Sequence, residues 1–194
     1  MQHIPLNQRR KAQTRIEIAK AALRLFARDG YDTVGLDAIA EEAGVSLRTL
    51  YRYFPTKDEL LSPLVMGGTA GLAELLAERP AEEPLVEAVQ RAYEERAAFA
   101  GPANVHVLIG LLVNVPVLRA RWLDDLRTVE EALTPVIRER AHGELDEDEA
   151  RCTAAVVVTA LRLVLERSTR PGSNESPGAG LGQTLRYMRA GAHL

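Results

Sequence analysis

With 194 residues, 46% of them hydrophobic and only 5% aromatic, the chain can bury one sizeable core or a small head joined to a larger body, and its many Ala, Leu, Val, Glu and Arg favour packed helices over sheet. No apolar run is long enough to span a bilayer, no signal-peptide pattern is present, and a lone cysteine, Cys152, excludes an internal disulfide and most cysteine-based metal sites, so a cytoplasmic protein is expected. The formal charge of −3 speaks against a polyanion partner only until it is divided: the first 28 residues hold seven Lys and Arg against one acid, Glu17.

Residues 1–6 read as an arm. From Asn7 to Arg28, Ile16, Ala19, Leu23 and Phe26 recur at the spacing of one helix face. Arg9, Arg10, Lys11 and Arg15 crowd the start of that helix, where positive charge opposes the helix dipole. A phosphate partner would remove the objection; a merely solvated basic end would explain the same charges. Gly30 stops the helix, and Tyr31 is expected to pack beneath it.

Ala38 to Phe54 is the stretch with the strongest spacing. Ile39, Ala40 and Ala43 give a first short helix its inner face, and Gly44 sits where the backbone must turn, with positive φ. Val45 fills the angle and Ser46 is a good N-cap, able to accept from the N–H of Thr49. Leu50 and Phe54, four apart, point inward, which leaves Leu47, Arg48, Thr49, Tyr51, Arg52 and Tyr53 around the rest of the second helix. This is the pattern of a helix-turn-helix presenting a recognition helix to the major groove. An ordinary helical hairpin shows the glycine turn as well, but not the whole spacing with a basic helix before it.

A fourth helix is expected from Thr56 to Glu78, opened by a capping box at Thr56 to Glu59 and weakened by Pro63 and Gly67-Gly68. Residues 79–84 break the pattern, and a fifth helix covers about 83–100, stopped by Gly101-Pro102. The sixth, 103–114, is apolar on nearly every side and reads as the central buried helix. The seventh runs from Val117 to Arg140 with Pro135 inside it. After a turn at 142–146, Asp146 and Glu149 form a capping box for the eighth, which reaches Arg167. Residues 168–180 form a loop and the last helix covers about 181–190. The fold class is all-α, about nine helices, with a head at 1–60 and a body at 61–194.

Phe26 to Asp32, the Ala40 to Ser46 turn, Thr49-Leu50-Tyr51-x-Tyr53-Phe54 and Thr56 to Leu60 resemble the N-terminal domain of TetR-family transcriptional repressors over about residues 9–62. The resemblance implies a homodimer that binds a palindromic operator in double-stranded DNA and lets go when a small molecule fills the C-terminal domain. Carried over by position, Leu47 and Arg48 face base edges, Thr49, Tyr51 and Tyr53 contact phosphates, with Tyr51 also within reach of a thymine methyl, and Lys57 contacts phosphate from the start of the fourth helix. The family's usual Thr at the N-cap of the first motif helix is replaced here by Gly35, so a cap and a phosphate contact are missing. Asn114 to Trp122 resembles the subgroup with acyl-CoA-type ligand domains, some linked to mycofactocin systems, which implies an apolar or acyl-type effector.

The ligand site is expected between helices four and seven, among Tyr93, Arg96, Phe99, His106, Ile109, Val113 and Trp122, although plain core packing would also account for most of them. Val157, Ala160, Leu161, Val164 and Leu165 give the eighth helix an apolar face that a second subunit, or the body itself, must cover. Cys152 reads as a small buried hydrophobe. No nucleophile elbow, phosphate loop, H-E-x-x-H or dinucleotide fingerprint is present and the four histidines are scattered, so neither an enzyme nor a cofactor or metal is expected. The competing reading is a helical module that uses the hairpin to bind protein rather than DNA.

Overall fold

The computed structural model describes residues 6–100, 102–170, 172–173 and 177–189, without the side chains of 6–9, 66–70, 98–100 and 102–103. Nine α-helices follow in the order α1 (Leu6–Asp29), α2 (Leu36–Glu42), α3 (Leu47–Tyr53), α4 (Ser62–Glu78), α5 (Leu85–Ala100), α6 (Pro102–Asn114), α7 (Pro116–Arg140), α8 (Glu147–Ser168) and α9 (Pro177–Arg189), with a 3-10 turn at Asp58–Leu61 leading into α4. The chain is all-α as expected, with no strand among the described residues. Residues 1–5 of the expected arm, the Gly101 helix stop and residues 171 and 174–176 of the expected loop lie outside them, while Leu6 already belongs to α1 and residues 177–180, read as loop, form the first turn of α9. No single described helix is long and apolar enough to cross a membrane.

The central helix of the body is α7, not α6. Leu118, Trp122, Leu126, Val129, Leu133 and Ile137 recur three to four apart along α7 and are all buried, because α4, α6 and α8 pack around it. The helix continues through Pro135, whose ring stands on the exposed side. α6 buries Ile109 and Leu112 but leaves His106 and Val107 exposed, since the helices packed against it do not cover it all round. An apolar sequence on every face sets what a helix tolerates, whereas burial depends on what is packed against it.

The start of α4 also differs from expectation. Thr56 does not cap a helix; Lys57 precedes the 3-10 turn with no side-chain cap, and α4 begins only at Ser62. Leu60 and Leu61 in that turn are fully buried, so packing onto α1 and α7 tightens the backbone where local capping would have begun an α-helix. Pro63 lies in the first turn of α4, where its missing N–H leaves no bond unmade. At α8 the capping box is formed as expected: Asp146 Oδ1 accepts from the N–H of Glu149 at 2.9 Å, and the Asp146 N–H donates to Glu149 Oε2 at 2.9 Å.

The break between α4 and α5 is held from a distance. Arg140, at the end of α7, donates through Nη1 to the carbonyls of Leu76 (3.3 Å) and Arg79 (2.9 Å) and through Nη2 to those of Pro80 and Glu83 (both 2.9 Å). It thereby adds a second donor to the Leu76 and Pro80 carbonyls, which also accept from the N–H groups of Arg79 and Glu83, and ties the end of α4 to the loop that follows. Arg79 and Arg91 both pair with Glu83 in the same loop. Arg140→Ala is expected to destabilise the chain by about 2 to 3 kcal/mol in urea unfolding, with Arg140→Lys intermediate, because an ammonium cannot span four carbonyls.

Candidate nucleic-acid interface

The recognition surface rests on the turn between α2 and α3. Gly44 takes φ +67, a conformation that costs an L side chain roughly 1–2 kcal/mol, and its N–H donates to the Glu41 carbonyl at 3.0 Å while that of Val45 donates to Ala40 at 2.9 Å. Ser46 then caps α3: its Oγ accepts from the Thr49 N–H at 3.2 Å and donates to Thr49 Oγ1 at 2.9 Å. Leu50 and Phe54 are fully buried and lock α3 onto the head. These features agree with the sequence reading.

One strut was not foreseen. Arg15 Nη1 donates to the Tyr53 carbonyl at 3.1 Å, and its guanidinium lies 4.7 Å from the centre of the Phe54 ring. A cation here meets an open carbonyl and the negative end of α3. No local signal in the sequence joins residue 15 to residue 53, so it read only as one member of a basic helix start.

On α3 the positions expected to meet DNA stand clear of the core. Leu47 is 40% and Tyr51 50% exposed, large values for apolar and aromatic side chains on a packed head. Arg48 and Arg52 are exposed, and Thr49 and Tyr53 are half-buried, with the Arg52 guanidinium 5.3 Å from the centre of the Tyr53 ring. Lys57, expected on a phosphate, is half-buried beneath the head. Its Nζ donates to the Tyr31 carbonyl and sits 4.4 Å from the Tyr31 ring centre and 5.5 Å from that of Phe26. The ammonium rests beside the Phe26 and Tyr31 rings, which pack 5.0 Å apart. Gly35 occupies the N-cap of α2 without a side-chain cap, as its lack of a side chain requires.

The body positions divide differently from expectation. Tyr93, Ile109 and Trp122 are buried in one continuous core, and burial pushes the Tyr93 hydroxyl up to about 12. Arg96 is half-buried, its pKa lowered by desolvation, and it crosses α4 at Gly71, where a Cβ would come within 3.0 Å of Arg96 Cδ. Val113 is half-buried, whereas His106 is exposed and so is not a core histidine. The side chain of Phe99 lies outside the described residues.

Val157, Ala160, Leu161, Val164 and Leu165 do not form an outer face: all five are buried within the chain, where α8 packs on α7 and α9. Cys152 is exposed rather than buried. On the outside of α8 stand Cys152, Val156 and Thr159, and on α9 Tyr187, 71% exposed.

A small polar joint ties the start of α4 to α7. Arg121 Nε donates to Asp125 Oδ1 at 3.2 Å and to Ser62 Oγ, at the start of α4, at 3.3 Å. Asp125 is 96% buried with its Oδ2 unpartnered (4% exposed), and burial raises its carboxyl above the usual range against the opposing pull of Ser62 and Arg121.

A rigid helix-turn-helix with an exposed, partly basic recognition helix, fixed to a helical body, defines a DNA-binding transcriptional regulator. Residues 18–64 match the family model of bacterial regulatory proteins, tetR family. The chain is 31% identical over 153 residues to the HTH-type transcriptional regulator TcmR of Streptomyces glaucescens, covering 74% of this chain and 67% of that one. It is 27% identical over 155 residues to the HTH-type transcriptional repressor AcnR of Corynebacterium glutamicum, covering 79% and 78%. The structure of the transcriptional regulator FadR from Bacillus subtilis in complex with stearoyl-CoA has the same fold, with a TM-score of 0.62 at 22% identity over 92% of this chain and 99% of that one. The chain belongs to the TetR family.

The place of Lys57 gives a direct test. Lys57→Met is expected to lower stability by about 1 to 2 kcal/mol, through loss of the carbonyl and ring contacts. The salt dependence of DNA binding is expected to stay unchanged, which a titration of labelled duplex at several salt concentrations reads directly.

Proposed function

We propose that the chain is a homodimeric repressor, acting in the cytoplasm, whose two α3 helices enter successive major grooves of a palindromic operator about 34–36 Å apart. Residues 1–60 serve as the DNA-binding head and 61–194 as the ligand-binding and dimerisation body. The observation that carries the reading is the exposed face of α3, with Leu47, Arg48 and Tyr51 held outward by the Gly44 turn and the Ser46 cap. Arg48 reads guanine through a bidentate contact, while Thr49, Tyr51 and Tyr53 hold phosphates. A repressor role is supported by the Corynebacterium glutamicum relative, which bears that description.

The effector is an apolar or acyl-type small molecule, a choice supported by the stearoyl-CoA held by the Bacillus subtilis neighbour. It enters the body near Tyr93, Arg96, Ile109, Val113 and Trp122, with Arg96 facing its acidic end. Since Tyr93, Ile109 and Trp122 are packed in the core, entry requires α4 to α7 to move apart. That motion is passed to the head along α4, whose first residue, Ser62, is tied to α7 by Arg121 beside Asp125. Such a ligand must prefer the released state by a few kcal/mol to switch it. The second subunit docks on the outer faces of α8 and α9, at Val156 and Tyr187.

Fluorescence anisotropy with DNA from upstream of the protein's own gene tests the reading. Selective binding by a dimer is expected, with Arg48→Ala losing about 1 to 3 kcal/mol of discrimination against scrambled duplex and added stearoyl-CoA releasing the DNA. Weak binding that ignores both sequence and Arg48 would instead favour a protein-binding hairpin.

A further inference from the structure

Between the first turns of α1 and the last turn of α3 lies a groove of about 430 Å³ that base reading by α3 leaves unused. Its walls are Arg10, Lys11, Thr14 and Arg15 from one helix and Arg52 and Tyr53 from the other. Four of the six are cations and none is an acid. Glu17, the one acid in this part of α1, is taken up by Lys20 at 3.2 Å and by the Gln13 amide at 2.8 Å. Arg15 is committed to the Tyr53 carbonyl and the Phe54 ring, so it holds the two walls together, while Arg10, Lys11 and Arg52 are exposed around the groove.

Four like charges gathered at one place repel one another, and those near the start of α1 also oppose its dipole. A bound anion reverses both terms. We infer that this groove clamps a phosphodiester of the DNA backbone outside the base pairs under α3. The inference rests on the DNA-binding reading and extends it. The ligand is duplex DNA rather than a free anion because the groove shares Arg52 and Tyr53 with the recognition helix, so a backbone lying along α3 runs on into it. Guanidinium and ammonium contacts to phosphate carry no base information. The clamp therefore sets register and affinity for any sequence and leaves discrimination to Arg48.

The test is the double variant Arg10→Gln with Lys11→Gln, both exposed, with thermal unfolding as a check of the fold. Its salt slope of binding is expected to fall by about 2 in a dimer, at about 0.9 for the one phosphodiester held in each groove, and its affinity by about tenfold or more on upstream DNA and on scrambled duplex alike. On a duplex trimmed to the base pairs beneath α3, wild type and variant are expected to bind equally. An unchanged salt slope overturns the clamp, and so does a loss confined to the selective sequence. Inorganic phosphate that protects the wild type but not the variant against heat, with the salt slope unchanged, also overturns it and assigns the groove to a small anion. A wild type that shows no selectivity while the variant still loses salt slope supports the clamp and overturns base reading by α3.

Discussion

The presentation of α3 depends on the left-handed backbone at Gly44. With φ at +67 there, the chain reverses in a single residue, and the capping of α3 by Ser46 begins two residues later. A side chain at residue 44 would strain the one angle that sets α3 against α2. Everything outward on α3 inherits its direction from that angle, and everything inward, Leu50 and Phe54 above all, is buried because of it. The strut from Arg15 to the Tyr53 carbonyl fixes the other end of the same helix. A recognition helix of seven residues is too short to be stable alone, so its shape is imposed at both ends and along its buried edge.

The connection from head to body uses a different kind of contact. Leu60 and Leu61 bury an apolar turn against α1 and α7, which makes the joint stiff, while Asp125, Arg121 and Ser62 add polar contacts of 3.2 and 3.3 Å at its edge. A buried carboxylate with one oxygen unpartnered is an inefficient way to hold helices together, and an apolar side chain of similar size would hold them at least as well. Such a group contributes directional preference more than strength. The joint therefore favours one relative placement of α4 and α7 without welding them.

Much of the head was legible because its signals are local. A glycine turn, a serine cap three residues from the N–H that donates to it, and inward residues four apart are all written within Ile39 to Phe54, and each acts over one or two turns of helix. The Asp146 and Glu149 box is equally local and formed as read. What failed to show in the sequence depends on distant partners. Lys57 looked like a surface cation, yet the Tyr31 carbonyl and two rings draw it inward. α6 looked buried on all sides, but His106 and Val107 remain exposed. The apolar stripe of α8 could be given to a second subunit or to the chain itself, and α7 and α9 settled it for those five residues. Composition can say that a face must be covered; it carries no address for the cover.

Arg140 has a consequence for how the chain can change over generations. It grips the segment between α4 and α5 entirely through main-chain carbonyls of Leu76, Arg79, Pro80 and Glu83. Every amino acid offers the same carbonyl, so this clasp is blind to the side chains it holds. As far as this clasp is concerned, residues 76 and 80 can drift in sequence while the loop keeps its path; Arg79 and Glu83 are held besides by their own ion pair. Most of the main-chain constraint sits in a single arginine some sixty residues away, and divergence between relatives at the positions it grips need not signal divergence in shape.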